Sequence, residues 1–153
     1  MKVAVGSDHA GFALKERIKR ELAALGHTVA DVGTSSGTES VDYPDFAIPV
    51  AERVAAGEAD RGVVMCATGI GASIAANKVS GVRASVVTSD ETARLTRQDN
   101  DSNVLALGGR TTPNLEDAVR WLRIWLETPF AGGRHERRVK KIEDYEQHHS
   151  AKR

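Results

Sequence analysis

The chain has 153 residues, 21 Lys+Arg against 21 Asp+Glu, and a single cysteine. A length near ~150 residues suits one domain with a real core, and 41% hydrophobic with 27% charged residues excludes a disordered or fibrous chain. Zero formal net charge gives no global pull toward nucleic acid or an anionic membrane, and one cysteine excludes a disulfide framework and any multi-thiolate metal site.

The N-terminal stretch meets Asp8 and His9 too early for a signal-peptide apolar region. The longest uncharged run, Gly62–Asn77, is broken by Gly, Thr and Ser and falls short of the ~18 apolar residues a membrane span needs. The expected location is the cytoplasm.

Lys2–Gly6 reads as a strand, followed by an amphipathic helix over Gly11–Leu25 with Leu14, Ile18, Leu22 and Leu25 on one face. Gly26 stops that helix, and His27–Val32 is a second strand. A polar loop from Ser35 to Tyr43 ends at Pro44. The second helix is predicted over Phe46–Ala56, with Pro49 tolerable only near its first turn. Arg61–Cys66 is the third strand, leading through a glycine-rich turn into a helix over Ala72–Val79. Val82–Thr88 and Asn103–Leu107 are the fourth and fifth strands, with a helix from Glu91 to Gln98 between them. A further helix covers Leu115–Glu127 and carries Trp121, Leu122 and Trp125. Strands alternating with single crossover helices specify an α/β fold: a five-stranded parallel sheet with helices on both faces. No internal repeat or low-complexity linker divides the chain, so residues 1–153 are expected to form one domain.

After Gly132-Gly133 the composition changes. From Gly132 onward there are seven Lys+Arg and four Asp+Glu, which leaves fourteen against seventeen in the rest. The zero net charge therefore conceals an acidic body and a basic tail, helical in pattern over Arg134–His149. One reading is a solvated helix or one that packs on a partner subunit. The other is an anion clamp of Arg134, His135 and Arg138, which approach one ligand at a helix start.

In open parallel sheets, ligands bind at the carboxyl ends of strands. Two such ends carry unusual residues here: Gly6-Ser7-Asp8-His9-Ala10-Gly11 and Cys66-Ala67-Thr68-Gly69-Ile70-Gly71-Ala72-Ser73. The second sets a thiol and a hydroxyl at a helix start, where backbone N–H groups cradle an anion and the local field favours thiolate. Each part also has a plainer reading. Cysteine at a strand end is commonly inert core, the glycines serve a tight turn, Asp8 caps the next helix, and His9 sits satisfied at the surface. A dinucleotide fingerprint from Gly69 fails at Ile74, a Walker loop fails at Asn77-Lys78-Val79, and a Cys-x5-Arg phosphatase loop fails at Ala72. The residues alone support an anion-binding α/β domain.

With Asp42-Tyr43-Pro44, Ser73-Ile74-Ala75-Ala76-Asn77-Lys78, Asn100-Asp101-Ser102-Asn103-Val104-Leu105 and Gly132-Gly133-Arg134-His135 added, the sequence resembles the type B ribose-5-phosphate isomerases over residues 1 to about 146. These belong to a wider family with galactose-6-phosphate and allose-6-phosphate isomerases. The resemblance implies a three-layer Rossmann-like sandwich with a C-terminal extension helix. It also implies a homodimer or tetramer with sites built from two chains, a small-molecule sugar phosphate as substrate, and no metal or organic cofactor. The implied reaction interconverts an aldose phosphate and its 2-ketose through a cis-enediolate. Cys66 matches the base that moves the proton between C2 and C1, and Thr68 the group that moves a proton between O1 and O2. The N–H groups of Gly69, Ile70, Gly71, Ala72 and Ser73 match the enediolate cradle. Asp8, His9, Tyr43 and Asn100 match substrate-binding positions, and Arg110, Arg134 and Arg138 match phosphate-binding ones.

One position departs. Relatives commonly read His-Asn-Asp, with the histidine opening the furanose ring, where this chain reads Asp99-Asn100-Asp101. Ala67, where relatives often have Gly, is a lesser departure. Ribose 5-phosphate is the expected substrate. A six-carbon sugar phosphate of the allose or galactose type is the alternative raised by Asp99, and a non-catalytic sugar-phosphate sensor is the alternative of another class.

Overall fold

In chain order the elements are β1 (Lys2–Ser7), α1 (Phe12–Ala24), β2 (Thr28–Asp31), α2 (Pro44–Ala55), β3 (Arg61–Cys66) and α3 (Ile70–Ala76). They continue as β4 (Ala84–Val86), α4 (Asp90–Gln98), β5 (Val104–Gly108), α5 (Leu115–Glu127) and α6 (Arg134–Ser150). This computed structural model describes residues 1–150; Lys152 and Arg153 of the basic tail, at the end of the expected domain, lie outside the described residues.

The strands form one parallel sheet in the order β2-β1-β3-β5-β4. Residues Gly62–Cys66 of β3 and all of β5 are buried, as two-sided packing of central parallel strands requires. Side chains alternate between two cores. Val3, Val5, Val63, Met65, Leu105 and Leu107 meet Leu14, Ile18 and Leu22 of α1 and Val119, Leu122 and Trp125 of α5. Ala4, Val64, Cys66, Val104 and Ala106 face Val50 of α2 and the alanines of α3. The indole N–H of the fully buried Trp125 donates to Ser102 Oγ at 2.8 Å, whereas that of Trp121, 5% exposed in the same core, finds no partner among the described residues.

Several boundaries differ from the periodicity reading. α2 starts at Pro44 rather than Phe46, so Pro49 lies in the body of the helix and leaves the Asp45 carbonyl without its amide partner. α3 starts two residues early because Gly69 takes a left-handed φ of 79° as its N-cap. β4 is shorter than Val82–Thr88: the Val82 amide turns back to the Val79 carbonyl, and Arg83 N–H donates to Asn103 Oδ1. Leu25, expected on the buried face of α1, is the C-cap residue and 42% exposed.

α6 lies outside the two cores, at the amino end of the sheet. Glu143 accepts from Arg83, the residue before β4, at 3.2 Å, and Glu146 accepts from the Gly81 amide at 3.0 Å. Val139 is its one buried residue. Among the described residues, no helix is long and apolar enough to cross a membrane.

Candidate functional site

Three loops leave the carboxyl ends of β1, β3 and β5 and are laced together by backbone. The Asp8 amide donates to Met65 O, Gly109 to Cys66 O at 2.8 Å and Arg110 to Ala67 O at 2.9 Å. Glycine makes this close approach sterically feasible. A Cβ on Gly11 would stand 2.8 Å from the Met65 backbone, and one on Gly69 would meet the Leu107 backbone at 3.0 Å.

Cys66 is 3% exposed at the end of β3, on the side of the sheet that carries α2 and α3. The Gly69 amide donates to its Sγ at 3.1 Å, and the Ile70 amide donates to Thr68 Oγ1 at 3.2 Å. The Ser73 amide is used inside the helix by Gly69 O, and its hydroxyl donates to Ile70 O. Of the five amides in the turn, Gly71 and Ala72 therefore have no acceptor among the described residues. These two unpaired donors at a helix start beside a sulfur form a place for an anion.

Tyr43 closes one side. Its ring lies where a Gly71 side chain would go, with Cζ 2.6 Å from the position of a Gly71 Cβ. Asp8 is buried and accepts the Gly11 amide at 3.0 Å, so it pins the loop ahead of α1 rather than capping that helix directly. His9 accepts the Val41 amide on Nδ1 at 3.2 Å, which leaves the proton of a neutral ring on Nε2. Arg110 is exposed at the rim.

Behind these loops stands an ion pair between a buried lysine and a partly exposed carboxylate. The Lys15 ammonium, with a side chain 1% exposed, lies 2.7 Å from Asp31. Asp31 also accepts from Lys19 and from the Gly33 amide. Burial pushes the Asp31 carboxyl up, but the hydrogen bonds from Lys15, Lys19 and Gly33 outweigh it and hold the group below the ordinary carboxylate range. Gly33 O in turn accepts the Ser7 amide and Ser7 O the Thr34 amide, so the pair anchors the end of β1.

The remaining predicted site residues lie elsewhere. Asp99 caps the C-terminus of α4, and the chain then enters β5, so Asp99 and Asn100 sit at the amino ends of the strands. Gly62 pairs with Val104 and Cys66 with Gly108, which separates the two ends by about 13 Å of strand. The Ala131 amide donates to Gln98 O, and His135 Nε2 lies 3.4 Å from Asp99 Oδ1. Arg134, beside His135, and Arg138, one turn further, are exposed and form no ion pair among the described residues. The predicted site residues of one chain thus fall in two groups: Asp8, His9, Tyr43, Cys66, Thr68 and Arg110 at one end, and Asp99, Asn100, Arg134 and Arg138 at the other. The sequence marked His135 only as an anion ligand; its pairing with Asp99, 36 positions away, has no periodic signal. Among the described residues, no group of three His, Cys, Asp or Glu side chains is placed to hold a metal ion.

Residues 3–142 match the Ribose/Galactose Isomerase family. The chain is 48% identical over 146 residues to ribose-5-phosphate isomerase B of Escherichia coli K12, covering 95% of this chain and 97% of that one. Its structure superposes on ribose-5-phosphate isomerase B of Clostridium thermocellum with a TM-score of 0.94 at 50% identity, covering 97% and 99% of the two chains. It is also similar to ribose-5-phosphate isomerase B of Mycoplasma genitalium with bound ribulose-5-phosphate, with a TM-score of 0.91, 39% identity, and coverage of 95% and 96%. Loop chemistry, sheet order and full-length similarity agree, and the chain belongs to the ribose/galactose isomerase family.

Proposed function

We propose that this protein interconverts ribose 5-phosphate and ribulose 5-phosphate, with Cys66 as the base. The observation that carries this reading is the Cys66 sulfur under the Gly69 amide, beside the two unpaired amides of Gly71 and Ala72. Aldose–ketose isomerisation needs what that arrangement offers. A base removes the C2 proton, the resulting enediolate is held by N–H donors aimed at its oxygens, and the proton returns at C1. Thr68 Oγ1, adjacent in the loop, moves a proton between O1 and O2. Atoms and electrons balance within the sugar, and no external oxidant enters. Asp8, His9, Tyr43 and Asn100 hold sugar hydroxyls, and Arg110, Arg134 and Arg138 hold the phosphate.

The two groups of residues, read as half-sites, support a homodimer in which the amino-end group of one copy meets the carboxyl-end loops of the other. Apolar side chains stand uncovered on both: Ile70 and Ile74 of α3 are 56% and 57% exposed, and Tyr145 of α6 is 66% exposed. A cysteine base that must stay unoxidised suits a reducing compartment, and we assign the cytoplasm. The relatives named for ribose 5-phosphate favour the pentose over a six-carbon substrate. Incubating pure protein with ribose 5-phosphate tests the reading: ribulose 5-phosphate forms in proportion to enzyme. No ketose at high enzyme concentration overturns it.

A further inference from the structure

We infer that Arg83 is a positioning residue for substrate binding, an inference that rests on the binding roles proposed above. Its guanidinium joins the turn that carries Asn100 to the helix that carries Arg134 and Arg138. Arg83 stands immediately before β4 with its side chain 17% exposed. Nε donates to Asn100 O at 2.9 Å, and Nη2 donates to Asp101 O at 3.0 Å. Nη1 donates to Glu143 Oε1 of α6 at 3.2 Å. One planar fork thus collects acceptors from the end of α4 and from α6. Its base is rigid, because the Arg83 amide donates to Asn103 Oδ1 at 2.8 Å and its carbonyl accepts the Asn103 amide at 3.1 Å.

The turn after α4 needs such a donor. Asp101 takes a left-handed φ of 48°, the one residue other than glycine to do so among the described residues, and that conformation is costly for a residue with a Cβ. The Asp101 amide returns to Arg97 O and the Ser102 amide to Thr96 O, which closes the helix end. The carbonyls of Asn100 and Asp101 are left outside the helix ladder, and both accept from Arg83. Arg97 holds the Asp101 carboxylate at 2.7 Å. Arg83 therefore fixes the backbone from which the Asn100 side chain projects.

The helix needs it for a different reason. Val139 is the one buried residue of α6, so apolar packing does little to seat the helix. Its ties to the body are polar: His135 lies 3.4 Å from Asp99 at the helix start, Glu143 accepts from Arg83, and Glu146 accepts from the Gly81 amide. Arg138 lies between the first tie and the second. Loosening the second lets the helix swing about its start and carries both exposed arginines with it. A lysine at position 83 would keep the charge, but a point donor cannot span acceptors on two segments in one plane.

The test separates binding from turnover. Arg83→Lys keeps the charge and loses the fork, whereas Glu143→Ala removes only the α6 arm and leaves the turn after α4 held. Initial rates with ribose 5-phosphate give KM and kcat. Arg83→Lys should raise KM about tenfold, the scale of one lost charge-assisted contact to the substrate, with kcat within about threefold of wild type. Glu143→Ala should raise KM about threefold, less because Gly81 still holds Glu146. In a chain that already carries Arg134→Ala and Arg138→Ala, Glu143→Ala should change kcat/KM by less than about 1.5-fold, since the helix then has nothing to position. A KM unchanged in either single variant overturns the inference. So does a fall in kcat at unchanged KM, or a Glu143→Ala effect that adds in full to the arginine variants. If Arg83→Lys does not fold, Glu143→Ala and its cycle decide alone. An arginine variant with the wild-type KM overturns the binding roles, and the inference with them, while leaving the isomerase intact. A wild-type protein inactive on ribose 5-phosphate overturns the isomerase reading itself.

Discussion

The Gly69 amide points at the Cys66 sulfur from 3.1 Å, and the same glycine, at a φ of 79°, starts helix α3. One residue thus sets the helix direction and directs a hydrogen-bond donor at the thiol. The left-handed φ is cheap only for glycine, and a Cβ there would press on the Leu107 backbone at 3.0 Å. The chemistry and the turn are therefore coupled through a residue that has no side chain.

Tyr43 and Gly71 share a contact that is testable by exchange. A Cβ at Gly71 would collide with the Tyr43 ring at 2.6 Å, so Gly71→Ala must displace the ring or the loop. We expect a loss of about 1–3 kcal/mol in stability, typical of overpacking, together with a lower kcat/KM. Adding Tyr43→Ala to Gly71→Ala should recover the stability and not the activity. Denaturant melts of the two single variants and the double variant give the coupling energy.

The separation of Cys66 from Arg134 and Arg138 makes a prediction about mixtures. Arg134→Ala with Arg138→Ala removes charge-assisted contacts worth about 1.5–3 kcal/mol each, so KM should rise steeply while kcat changes less. Cys66→Ala alone should be inactive for the opposite reason. Mixing the two variants after partial denaturation should regenerate activity, because one site of each mixed dimer is native. Random assortment gives about a quarter of the wild-type rate. A mixture as inactive as its parents would mean that both half-sites act within one chain.

This division was partly legible in the sequence. Short β-branched runs located all five strands, because each is bounded by glycine or polar residues, although β2 and β4 hold no buried residue. Cys66 and Thr68 fell at a strand end by position alone. The order β2-β1-β3-β5-β4 was not legible, since strand pairing is a long-range choice with no local signal. The early start of α2 was hidden by Pro49, which reads as a first-turn residue until Pro44 is seen to occupy that place. The 36 positions between Asp99 and His135 put their pairing beyond any helical or strand period.

Acid stability should depend on Asp31. Its carboxyl is held below the ordinary range, so the folded state gains stability that is fully present above the unfolded value near pH ~4 and lost as pH falls through the folded value. Asp31→Asn should therefore be less stable than wild type at pH 7, with the gap narrowing as pH falls below ~4, where the unfolded chain's carboxyl takes up its proton before the folded one does. Urea melts at pH 7 and at pH 3 measure both differences. A gap that stays constant with pH would place the contribution of Asp31 in packing rather than in charge. Because Asp31 holds Gly33 and Gly33 holds Ser7, activity at pH 7 should fall with stability.

The central claim, that Cys66 moves the proton between C2 and C1, is tested most directly by isomerising ribose 5-phosphate in D2O. Wild type should give ribulose 5-phosphate carrying deuterium at C1. Cys66→Ala should lower kcat by about a thousandfold, within the range of a lost general base, while binding the sugar phosphate with an unchanged Kd. A Cys66→Ala protein that keeps more than about a tenth of the wild-type exchange would contradict the account, because the proton would then be moving through another group.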